Sequence, residues 1–214
     1  MKAVPYGTWK LTVSLSPDTN PVLPSSQGYQ RKILTVNNTT NPQTCLQTER
    51  LILRPYQLSD AGNICELAGD NRVARETMNI PHPYERDMAE RWIASLEQQW
   101  KDRRRVEYAI TRKRDSRYIG GMSYVEVNGD EAEMGYWIGV PFWKQGYCTE
   151  AGRPLLDYGF SEMAFRKVTA RHLASNPGSG RVLQKLGLGW KESRYDLDRY
   201  GEQVKFEFYE TTGF

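Results

Sequence analysis

The chain has 214 residues, of which 39% are hydrophobic and 26% charged, and its formal net charge is +3. This composition is typical of a globular protein, and the length fits one domain with a single substantial core. No stretch approaches the roughly 18 consecutive apolar residues of a membrane-spanning helix. The first residues lack the apolar run of a secretory signal, so we expect a cytoplasmic protein without membrane contact.

Cysteine and histidine usage excludes two further classes. The three cysteines are odd in number and widely spaced, which disfavours a disulfide framework (Cys45, Cys65, Cys148). The two histidines, His82 and His172, offer no cluster with metal-ligand spacing, so we expect no metal.

Residues 1–46 carry the whole net charge of +3, and the neutral remainder disfavours a nucleic-acid-binding domain. An RNA-associated factor acting through the basic extension stays open as a lesser alternative.

Residues 1–46 differ in amino-acid composition from the rest of the chain. They contain five prolines and are rich in Ser, Thr, Asn and Gln, which predicts a partly irregular N-terminal extension. Two short segments in it, 9–15 and 33–36, have strand-like composition. Residues 47–214 form the predicted domain.

The domain begins with a predicted strand at 51–54, followed by a helix for which Ser59 is the expected N-cap. An amphipathic helix is predicted over 85–105, because apolar residues recur there every four positions and suit core packing (Met88, Trp92, Leu96, Trp100). Strands at 107–110, 118–125 and 131–140 follow, with turns at Asp115-Ser116 and Asn128-Gly129. A helix after Gly146, a strand at 167–174, a short helix at 177–186 and a hairpin at 195–210 complete the order. It predicts an α/β fold with a mixed sheet.

Two segments carry residues suited to ligand binding. Between 133 and 151 a strand leads through Gly146 into a helix, a junction that points main-chain N–H groups at one spot and favours an anion such as a diphosphate. In the second segment Asn176 is the expected N-cap and Pro177 the first helical residue, and Gly187 suits the helix end. Glycines at 178 and 180 beside Ser179 indicate close approach of a ligand.

Together these segments resemble the GNAT N-acetyltransferases, in particular the branch that acetylates N-terminal amines of ribosomal proteins. The resemblance covers roughly residues 48–212, and it rests on the order and spacing of several short motifs (TERLILRP from Thr48, SDA from Ser59, PHPY from Pro81, GYWI from Gly135, GYCTEA from Gly146, NPGS from Asn176, LGL from Leu186). It implies the GNAT fold, a mixed and mostly antiparallel central sheet splayed in the middle and flanked by helices.

The resemblance also implies acetyl-CoA as the acetyl donor and assigns site residues. Backbone groups of Ile138 and Val140 would pair with the pantetheine arm. Main-chain N–H groups of one turn would hold the diphosphate (Lys144, Gln145, Gly146, Tyr147, Cys148, Thr149). Asn176 would contact the cofactor arm, and Ser179 would serve as an acid for the departing thiolate. Glu192 would be the base that takes the proton of the amine. Our second candidate for this base is Glu133, on the predicted strand at 131–140.

The sequence departs from the family pattern at three places, and the first two carry structural expectations. Lys144 replaces a common glycine, so the loop is strained if this position needs a positive φ. Pro154 falls inside a predicted helix, where we expect a kink or an early break. The family often has Glu-Gly where this chain has Glu192-Ser193.

The expected reaction is direct attack of an amine on the thioester within a ternary complex. Cys148 at a helix start raises the alternative of an acetylated cysteine with a lowered pKa, although a structural role is favoured because no histidine is close in sequence. The rival from another class is a non-catalytic acyl-CoA-binding or regulatory domain. The acceptor, a protein N-terminus or a small-molecule amine, is not fixed by sequence, and a homodimer stays open.

Overall fold

A computed structural model describes residues 42–213. The two strand-like segments at 9–15 and 33–36 lie outside the described residues. The strands are β1 (Leu46–Gln47), β2 (Leu51–Arg54), β3 (Val106–Arg112), β4 (Tyr118–Asn128), β5 (Glu131–Ile138), β6 (Lys167–Leu173), β7 (Gly189–Leu197) and β8 (Gln203–Thr212). The helices are α1 (Ala61–Ala68), α2 (Asn71–Arg75), α3 (Arg86–Lys101), α4 (Tyr147–Ser161) and α5 (Pro177–Lys185).

The eight strands form one sheet in the order β1-β2-β3-β4-β5-β6-β8-β7. Neighbouring strands are antiparallel except β5 and β6, which run parallel because the connection between them contains α4. The predicted mixed, mostly antiparallel α/β architecture is therefore confirmed, including turns at Asp115-Ser116 and Asn128-Gly129.

Helices cover both faces of the sheet, which explains why β3 and most of β4 are buried throughout. On one face, Trp137 and Tyr118 pack near Tyr56, which contacts Trp92 of α3 at 4.7 Å between ring centroids. On the other face, the Tyr124 hydroxyl donates to the Leu155 carbonyl of α4 at 2.8 Å. The core thus lies in two layers around the central strands.

Trp92 and Trp100 of the predicted apolar stripe pack against the core, although Ala89 and Ile93 are the most buried residues of α3. One local expectation was wrong. Ser59 does not cap α1, since it lies within a short 3-10 turn and Asp60 occupies the cap position. Asp60 is instead buried in an ion pair with Arg54, at 2.7 Å between Oδ1 and Nη2.

Of the two outcomes expected at Pro154, a kink or an early break, the early break does not occur. Helix α4 continues for seven residues beyond it, to Ser161. A proline there removes one helical hydrogen bond, but the buried apolar face of α4 on the sheet holds the rest of the helix in place. None of the helices in the described part of the chain is long and apolar enough to cross a lipid bilayer.

Candidate active site

The sheet opens between β5 and β6. These strands pair from Glu131 to Met134 and from Lys167 to Ala170, and the pairing then stops. Beyond that point β5 stays paired with β4 as far as Ile138, while β6 stays paired with β8 as far as Leu173. The diverging ends form a wedge with main-chain groups along both sides, which is the splayed centre that the sequence predicted.

The loop from β5 to α4 closes one end of this wedge. Two residues in it have a positive φ, Lys144 at +60° and Gly146 at +80°. The expectation that Lys144 occupies a position better suited to glycine is confirmed, and its conformation is strained.

Helix α4 starts directly after this loop. Glu150 is the first residue whose N–H reaches a helical carbonyl, that of Gly146 at 3.0 Å. The N–H groups of Tyr147, Cys148 and Thr149 therefore lie at the open start of a 15-residue helix, where the helix dipole adds positive potential. This geometry suits a diphosphate held by main-chain donors.

An ion pair that sequence reasoning missed braces the same loop. The Glu150 carboxylate accepts from the Thr48 hydroxyl at 2.5 Å, the Arg50 N–H at 2.9 Å and Arg50 Nε at 2.6 Å. Arg50 Nη2 also donates to the Gln145 carbonyl at 3.1 Å, and its guanidinium lies 4.6 Å from the Tyr147 ring centre. Burial disfavours the charged form of Glu150, but these hydrogen bonds outweigh it and lower the pKa of the carboxyl. The positions of Arg50 and Glu150, 100 residues apart in the sequence, gave no sign that these residues meet.

The start of α5 faces the wedge from the other side. Asn176 Oδ1 accepts from the Ser179 N–H at 3.1 Å, which confirms Asn176 as the N-cap, and Gly187 ends the helix region with φ +88°. The Tyr136 hydroxyl of β5 reaches across, 2.8 Å from Ser179 Oγ and 3.0 Å from the Ser179 carbonyl. Burial raises the pKa of Tyr136 well above its ordinary range, so the phenol stays protonated and can donate to Ser179.

The glycines beside Ser179 have a packing explanation. A Cβ at Gly180 would lie 2.7 Å from His172 Nε2 and 3.0 Å from the Tyr209 hydroxyl. At Gly178 it would lie 3.2 Å from Asn176 Oδ1. Close approach of the His172 and Tyr209 side chains therefore suffices to explain Gly180, whereas close approach of a ligand stays a prediction.

Cys148 does not have the environment of an activated thiol. Its side chain packs against the core, and burial raises the pKa of the thiol to about 12. The lowered pKa considered for an acetylated cysteine is therefore contradicted, because desolvation outweighs the helix start.

The main-chain groups assigned to the pantetheine arm lie at the wide end of the wedge. The Ile138 carbonyl accepts from Trp143 Nε1 at 2.5 Å, and the Val140 carbonyl accepts from the Trp143 N–H at 3.2 Å. Trp143 itself is 39% exposed. Its indole N–H therefore occupies the Ile138 carbonyl, one of the acceptors that the family resemblance assigns to the pantetheine arm.

The two candidate bases lie in different places. Glu133 is on β5, at the narrow end of the wedge, and its carboxylate is 3.1 Å from Arg171 Nε. Arg171 also lies 3.3 Å from Asp196. Glu192 is on β7, two strands beyond β6, and its side chain is largely exposed and 3.5 Å from Arg194.

A third carboxyl, Glu107, escaped sequence reasoning because it lies in a strand with no motif. It is buried on β3, with Arg105 at 2.9 Å. Burial raises the pKa of Glu107 to about 7, and the nearby Arg105 offsets this only in part.

A cavity of about 610 Å³ adjoins the C-terminal end of β6, the strand that forms one side of the wedge. Its walls come from α2 and the segment after it, from the end of β6 and from the β7–β8 loop (Arg75, Met78, His82, Ser175, Arg199, Lys205 among them). Arg199 links the loop to α2, since its Nη2 donates to the Ala74 carbonyl at 2.7 Å.

Comparison with known proteins defines the class. The family model described as the acetyltransferase (GNAT) domain matches residues 50–189. The chain belongs to the GNAT acetyltransferase family and is an acetyl-CoA-dependent N-acetyltransferase by that membership.

Among individual relatives, an uncharacterized N-acetyltransferase, p20, of Bacillus licheniformis is 29% identical over 143 residues, covering 66% of this chain and 80% of that protein. The solved structure of RimL, a ribosomal alpha-N-protein acetyltransferase in complex with coenzyme A, has a TM-score of 0.72 at 14% identity and covers 79% of this chain and 98% of its own. Spermidine N-acetyltransferase from Vibrio cholerae, in complex with CoA and spermine, has a TM-score of 0.67 at 17% identity, with coverage of 77% and 96%. At these identities the two structures show the shared fold.

Proposed function

We propose that this chain transfers the acetyl group of acetyl-CoA to a primary amine by direct attack within a ternary complex. The observation that carries the proposal is the wedge between β5 and β6, which ends at the open start of α4. One end supplies N–H donors for the diphosphate, and the diverging strands supply main-chain groups for the amide-containing arm. RimL and the spermidine enzyme, which share the fold, were solved with CoA.

In this proposal Lys144 to Thr149 hold the diphosphate through main-chain N–H groups, and Ile138 and Val140 pair with the pantetheine arm. Asn176 has its Oδ1 committed to the cap, so its amide nitrogen is the atom left to contact the cofactor arm. The thioester then lies near Ser179.

Proton transfer needs an acid for the thiolate and a base for the amine. Ser179 is the acid in our proposal: its hydroxyl proton goes to the departing thiolate sulfur and is restored from solvent. Tyr136, whose hydroxyl lies 2.8 Å from Ser179 Oγ, holds that hydroxyl in place. Between the two candidate bases we favour Glu133 over Glu192, because Glu133 borders the wedge and Glu192 lies two strands away. A base acting through water contributes about 10²–10⁴-fold to the rate.

The acceptor enters through the cavity beside β6. Arg75, Arg199 and Lys205 in its walls are balanced only by Asp198 and Glu202, so the walls offer no excess negative charge for a polycation. This favours a protein N-terminus or a singly charged amine over a polyamine. An α-amine has a pKa of about 8 against about 10.4 for lysine, so it needs less help in losing its proton.

The test measures CoA release with a thiol reagent while acetyl-CoA is presented with N-terminal peptides, small monoamines and polyamines. We expect release with peptides or monoamines, and a faster rate than with spermidine. The matched variant Gly146→Val places a branched side chain at φ +80°. It should abolish both the binding of acetyl-CoA and the CoA release that the assay measures. Acetyl-CoA binding without release across the whole panel would instead support the non-catalytic acyl-CoA-binding domain.

A further inference from the structure

Strand β7 is an outer edge of the sheet that the described residues form. It runs for nine residues, pairs with β8 on one side, and every residue except Asp196 is classed as exposed. An exposed edge of this length presents a row of unpaired N–H and C=O groups, which is a template for another strand. It contains no proline, although the register shift between Trp190 and Glu192 bends one end.

The side chains of β7 are unusually apolar for an exposed strand. Trp190 is 55% exposed, Tyr195 68% and Leu197 57%. Three large apolar side chains on one exposed strand are typical of a surface that another molecule covers.

The charges of β7 indicate which molecule fits. Glu192 and Arg194 lie on either side of Ser193, and both side chains are more than half exposed. Their contact within the strand is 3.5 Å, so each charge has capacity for a better partner. The Arg194 guanidinium lies 4.0 Å from the Phe208 ring centre, which holds it against one face of the sheet.

These features are self-complementary in a single antiparallel register. If Ser193 faces the partner's Ser193, then Glu192 faces the partner's Arg194, and Arg194 faces the partner's Glu192. Directly opposed residues in antiparallel strands lie on the same face, so both pairs form on the face that Arg194 already occupies. The same register brings Trp190 toward the end of β7 that bears the partner's Tyr195 and the partner's Leu197.

We propose that a second copy of this chain binds along β7, with the two β7 strands antiparallel and Ser193 on the twofold axis. The two sheets then form one continuous sheet across the dimer, and the interface is isologous. This proposal does not depend on the acetyl transfer reaction.

The first experiment measures the mass of the full chain by sedimentation velocity at micromolar concentration. We expect a dimer of the 24.7 kDa chain. Glu192→Arg and Arg194→Glu each place like charges across the axis and should raise the dissociation constant by about tenfold or more. The double variant E192R/R194E reverses both charges and should restore dimerisation. Glu90→Arg, a charge reversal on α3, is the control and should leave the dimer intact.

The second experiment uses cysteines and does not depend on charge. Opposed Cα atoms in an antiparallel pair are about 4.5–5.5 Å apart, which suits a disulfide. In a Cys45→Ser background, Ser193→Cys should therefore form a symmetric disulfide on oxidation, whereas Tyr195→Cys should not, because its copies would lie about 13 Å apart. A monomeric wild type, single charge variants that stay dimeric, a double variant that stays monomeric, or absence of the Ser193→Cys cross-link would each overturn the proposal.

Discussion

Glu150→Ala tests whether the contact between Glu150 and Arg50 holds the loop that we assign to the diphosphate. The carboxylate accepts from three donor atoms of Thr48 and Arg50 between 2.5 and 2.9 Å. Hydrogen bonds to a charged group contribute about 1.5–3 kcal/mol each when buried. Because the Arg50 side chain is 47% exposed, solvent screening reduces that sum, and we expect a loss of about 2 kcal/mol in unfolding free energy.

For a domain of this size that loss lowers Tm by about 4–8 °C. Calorimetry measures it, and the matched control is Glu90→Ala, which removes an exposed ion pair with Arg86 and should cost about 0.3–0.5 kcal/mol. The KM for acetyl-CoA should also rise severalfold in Glu150→Ala alone, since Arg50 then no longer fixes the Gln145 carbonyl. If Glu150→Ala loses no more stability than Glu90→Ala, the reasoning about this loop is wrong.

The same contact predicts a pH dependence. The folded state lowers the pKa of Glu150 from its ordinary value of 4.5, so the folded state binds its proton less readily than the unfolded chain. The stabilisation is therefore fully present above pH 4.5 and lost as the pH falls through the lowered folded-state pKa. Urea denaturation at several pH values should show this loss in the wild type and a shallower one in Glu150→Gln.

Three further predictions concern single side chains. Tyr136→Phe removes the donor to Ser179, so we expect kcat for CoA release to fall about tenfold with little change in the KM for acetyl-CoA. Cys148→Ala keeps the main-chain N–H and should retain turnover within about threefold, whereas loss of turnover with intact cofactor binding would contradict direct transfer. Glu107 has its pKa raised to about 7, so its burial makes the wild type less stable as the pH rises from about 4.5 to 7; Glu107→Gln should flatten that slope in urea denaturation, and an unchanged slope would contradict the assignment.

Elements with strong local signals were predictable residue by residue. Strand-like segments separated by turns gave the strands of the meander, and Asn176 with Pro177 gave the start of α5, because turns and capping depend on neighbours in sequence. The prediction of Ser59 as an N-cap was wrong because a contact outside the local sequence sets the start of this helix. Asp60 is paired with Arg54 of β2, and that tertiary ion pair decides where the turn ends and α1 begins. The continuation of α4 past Pro154 likewise depends on packing against the sheet.

The features of the candidate site likewise fall into those set by local sequence and those set by tertiary contacts. The sequence by itself determined the junction at Gly146, since a glycine between a strand and a helix is a local signal. The positive φ at Lys144, which a lysine disfavours, was established only by the structure. Tertiary structure alone decided that Glu150 meets Arg50, that Tyr136 reaches Ser179 and that the Cys148 thiol is desolvated. Those contacts join residues up to 100 positions apart, and their charges and pKa values depend on burial, which no local pattern specifies.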